Sequence, residues 1–367
     1  MADDLSTPLT GRRGGSRRHL PVARILFALL GLIGIGFGLR LALTDDPNGG
    51  RPSQEVAITS TRNSNSLANA VSTGPVTITA DPQQYPIGAE PPPPAGGSTA
   101  IASLPDMFGA LPDLSEETAD GAIPRISATG QTPFAAYSRP APPVAGMARV
   151  AIVVSGLGIN EQGSLEAIDQ LPDDVTLAFA PYGKTLANTV AAARAGGHEV
   201  LLEIPLEPFD FPQNDPGPQT LLTGEAPRAN LEKLFWLMAR FGGYAGVVNN
   251  MGARFTASAA DFAPVMEELG ARGLGYLDDG SSNRSLAAQL AAGNKMPFGR
   301  VDMMIDANPS PQAIQSALAS LERTALESGQ AIGIISALPI SVSAVTEWSR
   351  ELESRGVVLV PASALMQ

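Results

Sequence analysis

Residues 149–158 read Arg-Val-Ala-Ile-Val-Val-Ser-Gly-Leu-Gly, and this stretch decides the fold. Its continuous apolar, mostly β-branched run from Val150 to Val154 is typical of a strand that is buried on both faces of a parallel sheet. The small residues from Ser155 to Gly158 then end the strand and allow a sharp turn. In α/β proteins the carboxyl ends of such strands are where ligands bind. Functional groups are therefore expected at the tip of this strand.

The composition excludes several classes of function. The chain has 367 residues and no cysteine, which removes disulfides, thiolate metal sites and cysteine nucleophiles. The formal net charge of −12 argues against nucleic acid as a partner, because phosphate binding needs a basic face. The histidines are His19 and His198 only, so no mechanism that needs two histidines in one folded site is available.

The amino-terminal part predicts a membrane anchor. Residues 1–19 are basic, and residues 20–43 are apolar apart from Arg24 and Arg40, whose long side chains can reach the headgroups. The basic residues keep 1–19 in the cytoplasm, so we expect a single-pass protein of the inner (cytoplasmic) membrane with its carboxyl-terminal domain in the periplasm. A cleaved signal peptide is the alternative, and Ser16-Arg17-Arg18 loosely resembles a twin-arginine signal. Arg40 spoils a normal cleavage region and favours the uncleaved anchor.

Residues 44–147 form a tract rich in Pro, Gly, Ser, Thr and Ala that contains the run Pro91-Pro92-Pro93-Pro94. The tract lacks the apolar periodicity that could offset the entropy of ordering, so the sequence predicts a disordered linker. Transient docking is expected at most for residues 104–114. A tether of this length lets the following domain range far from the membrane.

Residues 148–367 alternate apolar strands with amphipathic helices, which predicts one α/β domain with a parallel sheet. Seven or eight such units favour a closed or nearly closed barrel over an open sheet. Residues 205–226 are too long for an ordinary connection, and we expect them to fold over the active face. The predicted strands are 150–154, 175–180, 199–204, 245–248, 274–278, 301–305, 331–335 and 357–360, and the predicted helices include 227–241, 258–269, 284–292, 311–327 and 343–354.

Four motifs follow one another along this domain: Ile-Val-Val-Ser-Gly-Leu-Gly at 152–158, Gly-His-Glu-Val-Leu-Leu-Glu-Ile-Pro-Leu-Glu-Pro at 197–208, Asp-Pro-Gly-Pro at 215–218 and Asn-Asn-Met-Gly-Ala-Arg-Phe at 249–255. Their order, with Tyr-Leu-Asp-Asp at 276–279 and the strand that ends at Ser336, resembles the divergent polysaccharide deacetylase family over essentially the whole domain. The resemblance implies a distorted (β/α) barrel of the polysaccharide deacetylase type that works on cell-envelope carbohydrate outside the cytoplasm. It also implies a divalent metal ion as cofactor.

The chain departs from this family at the positions that carry its chemistry. Members usually have paired aspartates after the first strand and histidines at three later positions, where this sequence has Ser155, Gly156, Glu203, Asn250 and Ser336. Asp278 and Asp306 stay at aspartate-bearing positions, and Glu207 keeps its place in its turn. Serine and asparagine are poor metal ligands, and glycine has no side chain. The joint replacement of the usual ligands therefore argues against metal-dependent hydrolysis.

Two functions remain open on this pattern. The first is a catalytically degenerate member that serves as a binding or scaffold module for peptidoglycan, another envelope polysaccharide or an envelope protein, and that needs no cofactor. The second is an active N-deacetylase with a rebuilt carboxylate site, in which Glu203, Asp278 and Asp306 hold a divalent metal and Asp278 and Glu207 are the candidate catalytic residues. The substitutions favour the first.

Four further groups have both a functional and a structural interpretation. Asn249, Asn250 and Arg254 flank a Met-Gly turn and are candidate sugar-binding residues, although Asn also suits such a turn for backbone reasons. Glu203 could bind a hard cation together with Asp278, Asp279 or Asp306, and is alternatively a solvated or hydrogen-bonded carboxylate at a strand end. His198 stands at the amino end of the third strand of the domain, where a buried, hydrogen-bonded structural role is expected. The helix spacing around Trp236 and Trp348 indicates core packing.

Overall fold

A computed structural model describes residues 109–143 and 146–367. The predicted cytoplasmic terminus, the predicted anchor at 20–43 and most of the predicted linker lie outside these residues. Among the residues that it does describe, no helix is both long enough and apolar enough to cross a membrane.

The described residues form eleven strands and eight α-helices, joined by loops and short 3₁₀ turns. The strands are β1 (Ser115–Thr118), β2 (Gly121–Pro124), β3 (Ala148–Leu157), β4 (Thr176–Phe179), β5 (Val200–Leu206), β6 (Gly246–Met251), β7 (Gly275–Asp278), β8 (Phe298–Arg300), β9 (Met303–Met304), β10 (Gln330–Ser336) and β11 (Val357–Leu359). The helices are α1 (Pro133–Tyr137), α2 (Glu161–Gln170), α3 (Leu186–Ala195), α4 (Pro227–Met238), α5 (Ala259–Ala271), α6 (Ala287–Gly293), α7 (Pro311–Ser328) and α8 (Pro339–Ser349).

Nine of these strands build one parallel sheet in the order β8-β7-β6-β5-β4-β3-β10-β9, with β11 beside the start of β3. The two edge strands, β8 and β9, are separated in sequence only by Val301 and Asp302. The amide of Val301 donates to the carbonyl of Asp278 on β7 at 2.8 Å, and that of Asp302 donates to the carbonyl of Ile332 on β10 at 2.8 Å. The sheet is therefore curled until its edges meet at these two residues. The prediction of an α/β fold with a parallel, barrel-like sheet is confirmed.

The same connection corrects one strand prediction. Residues 301–305 were expected to form a strand, but only Met303 and Met304 pair with β10, and β8 was not predicted. The backbone of residues 301–302 bonds to both edges of the curled sheet and is not free to form a regular ladder. A run of apolar residues in the sequence does not distinguish a regular strand from a connection that bonds to both edges of the sheet.

Side chains of each strand alternate between two apolar layers, as the period of a strand requires. Along β3, Ala151 and Val153 face the interior of the curled sheet, whereas Ile152 and Val154 face the surrounding helices. The interior layer is narrow, and it is closed at the amino ends of the strands by the carboxyl-terminal residues, among them Leu365 and Met366. At the opposite end the interior opens into a cavity.

Residues 109–143 correct the linker prediction, because they fold onto the barrel. Strands β1 and β2 form an antiparallel hairpin, and α1 follows with Thr132 as its N-cap. Leu114, Ile123 and Tyr137 are buried, and the guanidinium of Arg139 forms ion pairs at 2.7 and 2.9 Å with two aspartates of the barrel. The segment buries isolated side chains in an existing surface instead of building its own core, so it carries no apolar periodicity. The folded domain therefore includes residues 109–143.

The helices agree with the sequence in type, and their ends differ in places. The last helix, α8, begins at Pro339 and ends at Ser349, whereas residues 343–354 were predicted; the chain then turns through a short 3₁₀ segment. Proline suits the first turn of a helix, because the missing N–H has no partner there in any case. Trp236 and Trp348 pack against the core, as expected from their helix spacing.

Candidate functional site

A cavity of about 660 Å³ lies at the carboxyl ends of the barrel strands. Alternation along each strand decides which residue of its tip faces this cavity. On β3, Ser155 continues the inward face of Val153, and on β10 Ser336 continues that of Ile334. The same register brings the substituted motif positions together, since the lining includes Ser155, Gly156, Glu203, Asn250 and Ser336.

Glu203 is the deepest ionisable group of the cavity. It is 2% exposed, and its Oε1 accepts a hydrogen bond from the amide of Gly156. Burial disfavours the charged form and raises the pKa of Glu203 to about 7, partly opposed by that hydrogen bond. Within the described ranges its carboxyl group has no other hydrogen-bond partner. Glu203 therefore presents a carboxyl group that exchanges its proton near neutral pH.

Asn249 and Asn250 have different roles, although the sequence left the choice between sugar binding and turn chemistry open for both. The amide of Asn249 donates to the carbonyl of Met251 at 2.6 Å, and its oxygen accepts from the Tyr276 hydroxyl and from the amide of Asp279, each at 3.1 Å. These bonds hold Met251 at a φ of 61°, a left-handed conformation that is costly for a residue other than glycine. Asn250 lines the cavity, and its side chain has no hydrogen bond within the described residues. Asn249 thus shapes the turn, and Asn250 faces the cavity.

At the tip of β7, the cavity receives Asp279 and not Asp278. Leu277 faces the barrel interior, so Asp279 lies on the same side, whereas Asp278 follows the outward face of Tyr276. Oδ1 of Asp278 accepts the amide of Gly280 at 2.8 Å and is occupied by its own turn. Burial raises the pKa of Asp279, and the charge of Asp278 adds to this, although hydrogen bonds from Ser281 and Asn249 oppose it. The predicted catalytic carboxylate Asp278 is therefore not among the groups that line the cavity.

Glu207 and Arg254 fasten the long loop that follows β5. Oε2 of Glu207 accepts the amide and hydroxyl of Thr223 at 2.6 and 2.7 Å, and Oε1 pairs with the Arg254 guanidinium at 3.1 Å. Both carboxylate oxygens are occupied, and neither residue lines the cavity. The predicted catalytic role of Glu207 and sugar-binding role of Arg254 are thus not matched by their placement. The loop itself lines the cavity, as predicted, through Asp210, Asn214 and a proline.

Asp306 supports the cavity from beneath. Its Oδ2 accepts the amide of Ser336 at 2.8 Å and the hydroxyl of Ser341 at 2.7 Å, which fixes the connection between β10 and α8. Its Oδ1 is buried without a hydrogen-bond partner in the described part of the chain. Asp306 therefore orients the lip of the cavity and does not line it.

The donor set does not fit the divalent metal that the family resemblance implies. Within residues 109–143 and 146–367, no group of three His, Cys, Asp or Glu side chains is placed to hold a metal ion. In the predicted carboxylate set, Glu203 faces the cavity, whereas Asp278 is bound in its turn and Asp306 beneath the lip. The rebuilt carboxylate metal site is not assembled there.

The opposite end of β5 carries two polar residues with structural roles. His198 is 2% exposed, and its Nδ1 lies 2.9 Å from the carbonyl of Val175, so the expected structural role is confirmed. Glu199 is fully buried and accepts hydrogen bonds from the Thr176 hydroxyl, from the amide of Arg139, and from both the amide and the hydroxyl of Ser363. It links the amino-terminal and carboxyl-terminal segments of the domain to the barrel.

Sequence reasoning did not single out several lining residues. These are Asp210 and Asn214 on the long loop and the exposed apolar residues Met304 and Leu338 at the rim. The length of the loop was the only sequence signal for the first two. Nothing in the sequence signalled the rim residues, since isolated exposed apolar side chains are common.

Known proteins are similar to this chain over the same domain. A family model described as "Divergent polysaccharide deacetylase" matches residues 152–366, a range that contains every lining residue named above. The uncharacterized protein YibQ of Escherichia coli (strain K12) is 23% identical over 219 residues, which are 59% of this chain and 67% of that protein. The crystal structure of uncharacterized protein ATU2773 from Agrobacterium tumefaciens C58 is 44% identical, with a TM-score of 0.65, and covers 67% of this chain and 99% of that one.

A more distant solved structure is the catalytic domain of peptidoglycan N-acetylglucosamine deacetylase from Eubacterium rectale ATCC 33656. It is 15% identical with a TM-score of 0.38, and the match covers 61% of this chain and 93% of that one.

Proposed function

This chain belongs to the divergent polysaccharide deacetylase family, and on that premise we propose that its cavity binds a polysaccharide of the cell envelope without metal-dependent hydrolysis. Peptidoglycan is the first candidate for that polysaccharide. In this proposal the domain acts as a binding or scaffold module, and an envelope protein is a further candidate partner.

The observation that carries the proposal is the set of groups at the strand tips. Ser155, Asn250 and Ser336 are neutral hydrogen-bonding groups at positions where the family usually has metal ligands. The Ser155 hydroxyl donates to the carbonyl of Ile335 at 3.0 Å and is left to accept, whereas the Asn250 amide and the Ser336 hydroxyl can both donate to and accept from sugar hydroxyls. A cavity of about 660 Å³ is within the size range of small-ligand sites. A pocket at the strand tips that is lined by neutral hydrogen-bonding groups supports a binding role.

One observation favours the alternative, an active hydrolase with a rebuilt site. A buried carboxyl group whose pKa is raised to about 7 is what a general acid–base needs at neutral pH. Glu203 meets that requirement and faces the cavity. Acetate release is the property that separates the two functions.

The test uses the full-length chain in mild detergent, with chitotetraose and soluble peptidoglycan fragments as probes. We expect saturable binding in calorimetry and no acetate release, with or without added zinc, manganese or magnesium. Asn250→Ala removes a cavity amide and should weaken binding about tenfold, the equivalent of one to two hydrogen bonds. Asn188→Ala, at an exposed amide on α3 that does not line the cavity, is the matched control. Turnover above the background rate would establish the hydrolase instead.

We further propose that the domain is tethered in the periplasm by residues 20–43. The basic residues before this apolar stretch support that orientation. Protease added to intact spheroplasts should degrade the carboxyl-terminal domain while a tag fused ahead of residue 1 stays protected. Degradation of the tag but not of the domain would reverse the proposed orientation.

A further inference from the structure

The charge of the cavity lining indicates a narrower class of ligand. Three carboxyl groups line it, those of Glu203, Asp210 and Asp279, and no Lys, Arg or His of the described residues does so. Arg254 is paired with Glu207 instead of contributing to the lining. We propose that the cavity selects a glycan with a free, protonated amino group over its N-acetylated counterpart. This proposal rests on the proposed function, because it concerns the ligand of the same site.

The position of Glu203 gives the first independent support. The residue is 2% exposed, its Oε1 accepts from the amide of Gly156, and its carboxyl group opens to the cavity with no second hydrogen bond from a described residue. A carboxyl oxygen that faces a cavity and has no donor within the protein is available to accept an N–H or O–H from a ligand. An ammonium group offers three donors and a positive charge, whereas an acetamido group offers one donor and adds a carbonyl acceptor.

Asp279 and Asp210 place further carboxyl groups nearer the opening of the cavity, where they also favour a cationic ligand. Asp279 accepts the amide of Ser281 at 2.9 Å through Oδ1 and lines the wall of the cavity. Asp210 is exposed on the loop after β5, where Oδ2 accepts the side-chain amide of Asn214. Carboxyl groups thus occur at the floor, on the wall and at the rim. An ammonium group among them is attracted electrostatically, and the attraction is strong where water is excluded.

The groups that face Glu203 include no competing cation. The lining contributed by β3 and β6 is neutral, namely Ser155, Gly156 and Asn250, and the lip after β10 adds Ser336. The only charged groups in the lining are carboxylates. A bound ammonium would therefore stabilise the ionised form of Glu203, and binding near neutral pH should release a proton from the protein.

The test compares two probes of equal length, the tetramer of glucosamine and its fully N-acetylated form, by calorimetry with the full-length chain at pH 6.0, where the amines are largely protonated. We expect the free-amine tetramer to bind at least tenfold more tightly. Asp279→Asn and Glu203→Gln, which keep the size of the side chain and remove its charge, should each reduce that ratio at least threefold. Asp169→Asn, an exposed aspartate on α2, is the matched control and should leave the ratio unchanged.

Each other result has a defined meaning. If neither probe binds, the proposed function fails and this inference with it. Equal or tighter binding of the acetylated tetramer would leave the proposed function standing and overturn the amine preference. The preference is also overturned if both cavity variants keep the wild-type ratio, or if spermidine binds as tightly as the tetramer, since the protein would then recognise charge without sugar. Thermal unfolding confirms that both variants are folded.

Discussion

Two glutamates, four residues apart, lie at the start of β5 and within it, and their surroundings differ. Glu199 stands just before the strand begins, Glu203 lies further along it, and both are on the inward face with Leu201 between them. Glu199 accepts hydrogen bonds from Thr176, Arg139 and Ser363, the last through two groups. Glu203 accepts only the amide of Gly156 in the described part of the chain and lies at the floor of a cavity.

The two positions suit different roles for one residue type, namely stability at one end of the barrel and, in the proposed function, ligand binding at the other. Burial raises the pKa of Glu199 and of Glu203 alike. At Glu199 the hydrogen bonds oppose that effect and connect three separate segments of the chain. At Glu203 a single hydrogen bond opposes the cost of burying the carboxyl group. A ligand that supplies a further donor can therefore reduce this cost on binding. The two carboxylates differ in their surroundings, since Glu199 is enclosed by donors of the protein and Glu203 opens to a cavity.

The largest expected effect is at the structural end. Glu199→Ala leaves the buried donors of Thr176 and Ser363 without an acceptor, and we expect a loss of about 4 kcal/mol in the free energy of unfolding, measured by urea titration. Glu199→Gln keeps an acceptor oxygen and should cost about half as much. Glu166→Ala, on the exposed face of α2, is the control and should change stability by less than about 0.5 kcal/mol. A loss below about 1 kcal/mol for Glu199→Ala would mean that this network does not hold the domain together.

A second prediction concerns the pH dependence at the cavity end. The pKa of Glu203 is raised from 4.5 to about 7, so the folded state binds a proton that the unfolded state has released. Its neutral form therefore favours folding at low pH, and that advantage is lost as pH rises from about 4.5 to about 7. Glu203→Gln cannot ionise, so it should be more stable than the wild type at pH 8 by at most about 3 kcal/mol, the equivalent of this shift.

The measurement for Glu203→Gln is the free energy of unfolding at pH 4, 6 and 8 for both proteins. The difference should be smallest at pH 4, where the carboxyl group is protonated in both states. Equal pH profiles for the wild type and the variant would show that Glu203 keeps an ordinary pKa. A stabilising substitution of this kind is expected at a group kept for binding, because function and stability make different demands on it.

Much of this site could be predicted from the sequence. The apolar runs located the strands, and parallel strands place their carboxyl ends at one edge, so Ser155, Asn250 and Ser336 were expected near one another. Which residue of a tip faces inward depends on register. The β7 motif contains two adjacent aspartates, and only the inward position of Leu277 decides that Asp279, and not Asp278, reaches the cavity.

Other features could not be predicted, because they depend on surfaces that exist only after folding. Residues 109–143 bury single side chains such as Leu114 and Tyr137, a pattern without periodicity. The partners of Glu199 come from positions 139, 176 and 363, far apart in the chain. Neither feature leaves a local signal, whereas strands and helices do.

The smallest expected effects concern the neighbouring residues Asn249 and Asn250. Like the two glutamates, one of them is bonded within the protein and the other faces the cavity. Asn249→Ala removes the bonds to Met251, Tyr276 and Asp279, and should cost about 2 kcal/mol of unfolding free energy, because it leaves buried groups unpaired and a left-handed residue unsupported. Asn250→Ala should change stability by less than about 0.5 kcal/mol, since no described residue bonds to its side chain, yet it should weaken glycan binding. Urea titration and calorimetry on the two variants make the comparison. If Asn250→Ala destabilises as much as Asn249→Ala, Asn250 also holds the turn, and the division between a supporting and a binding asparagine is wrong.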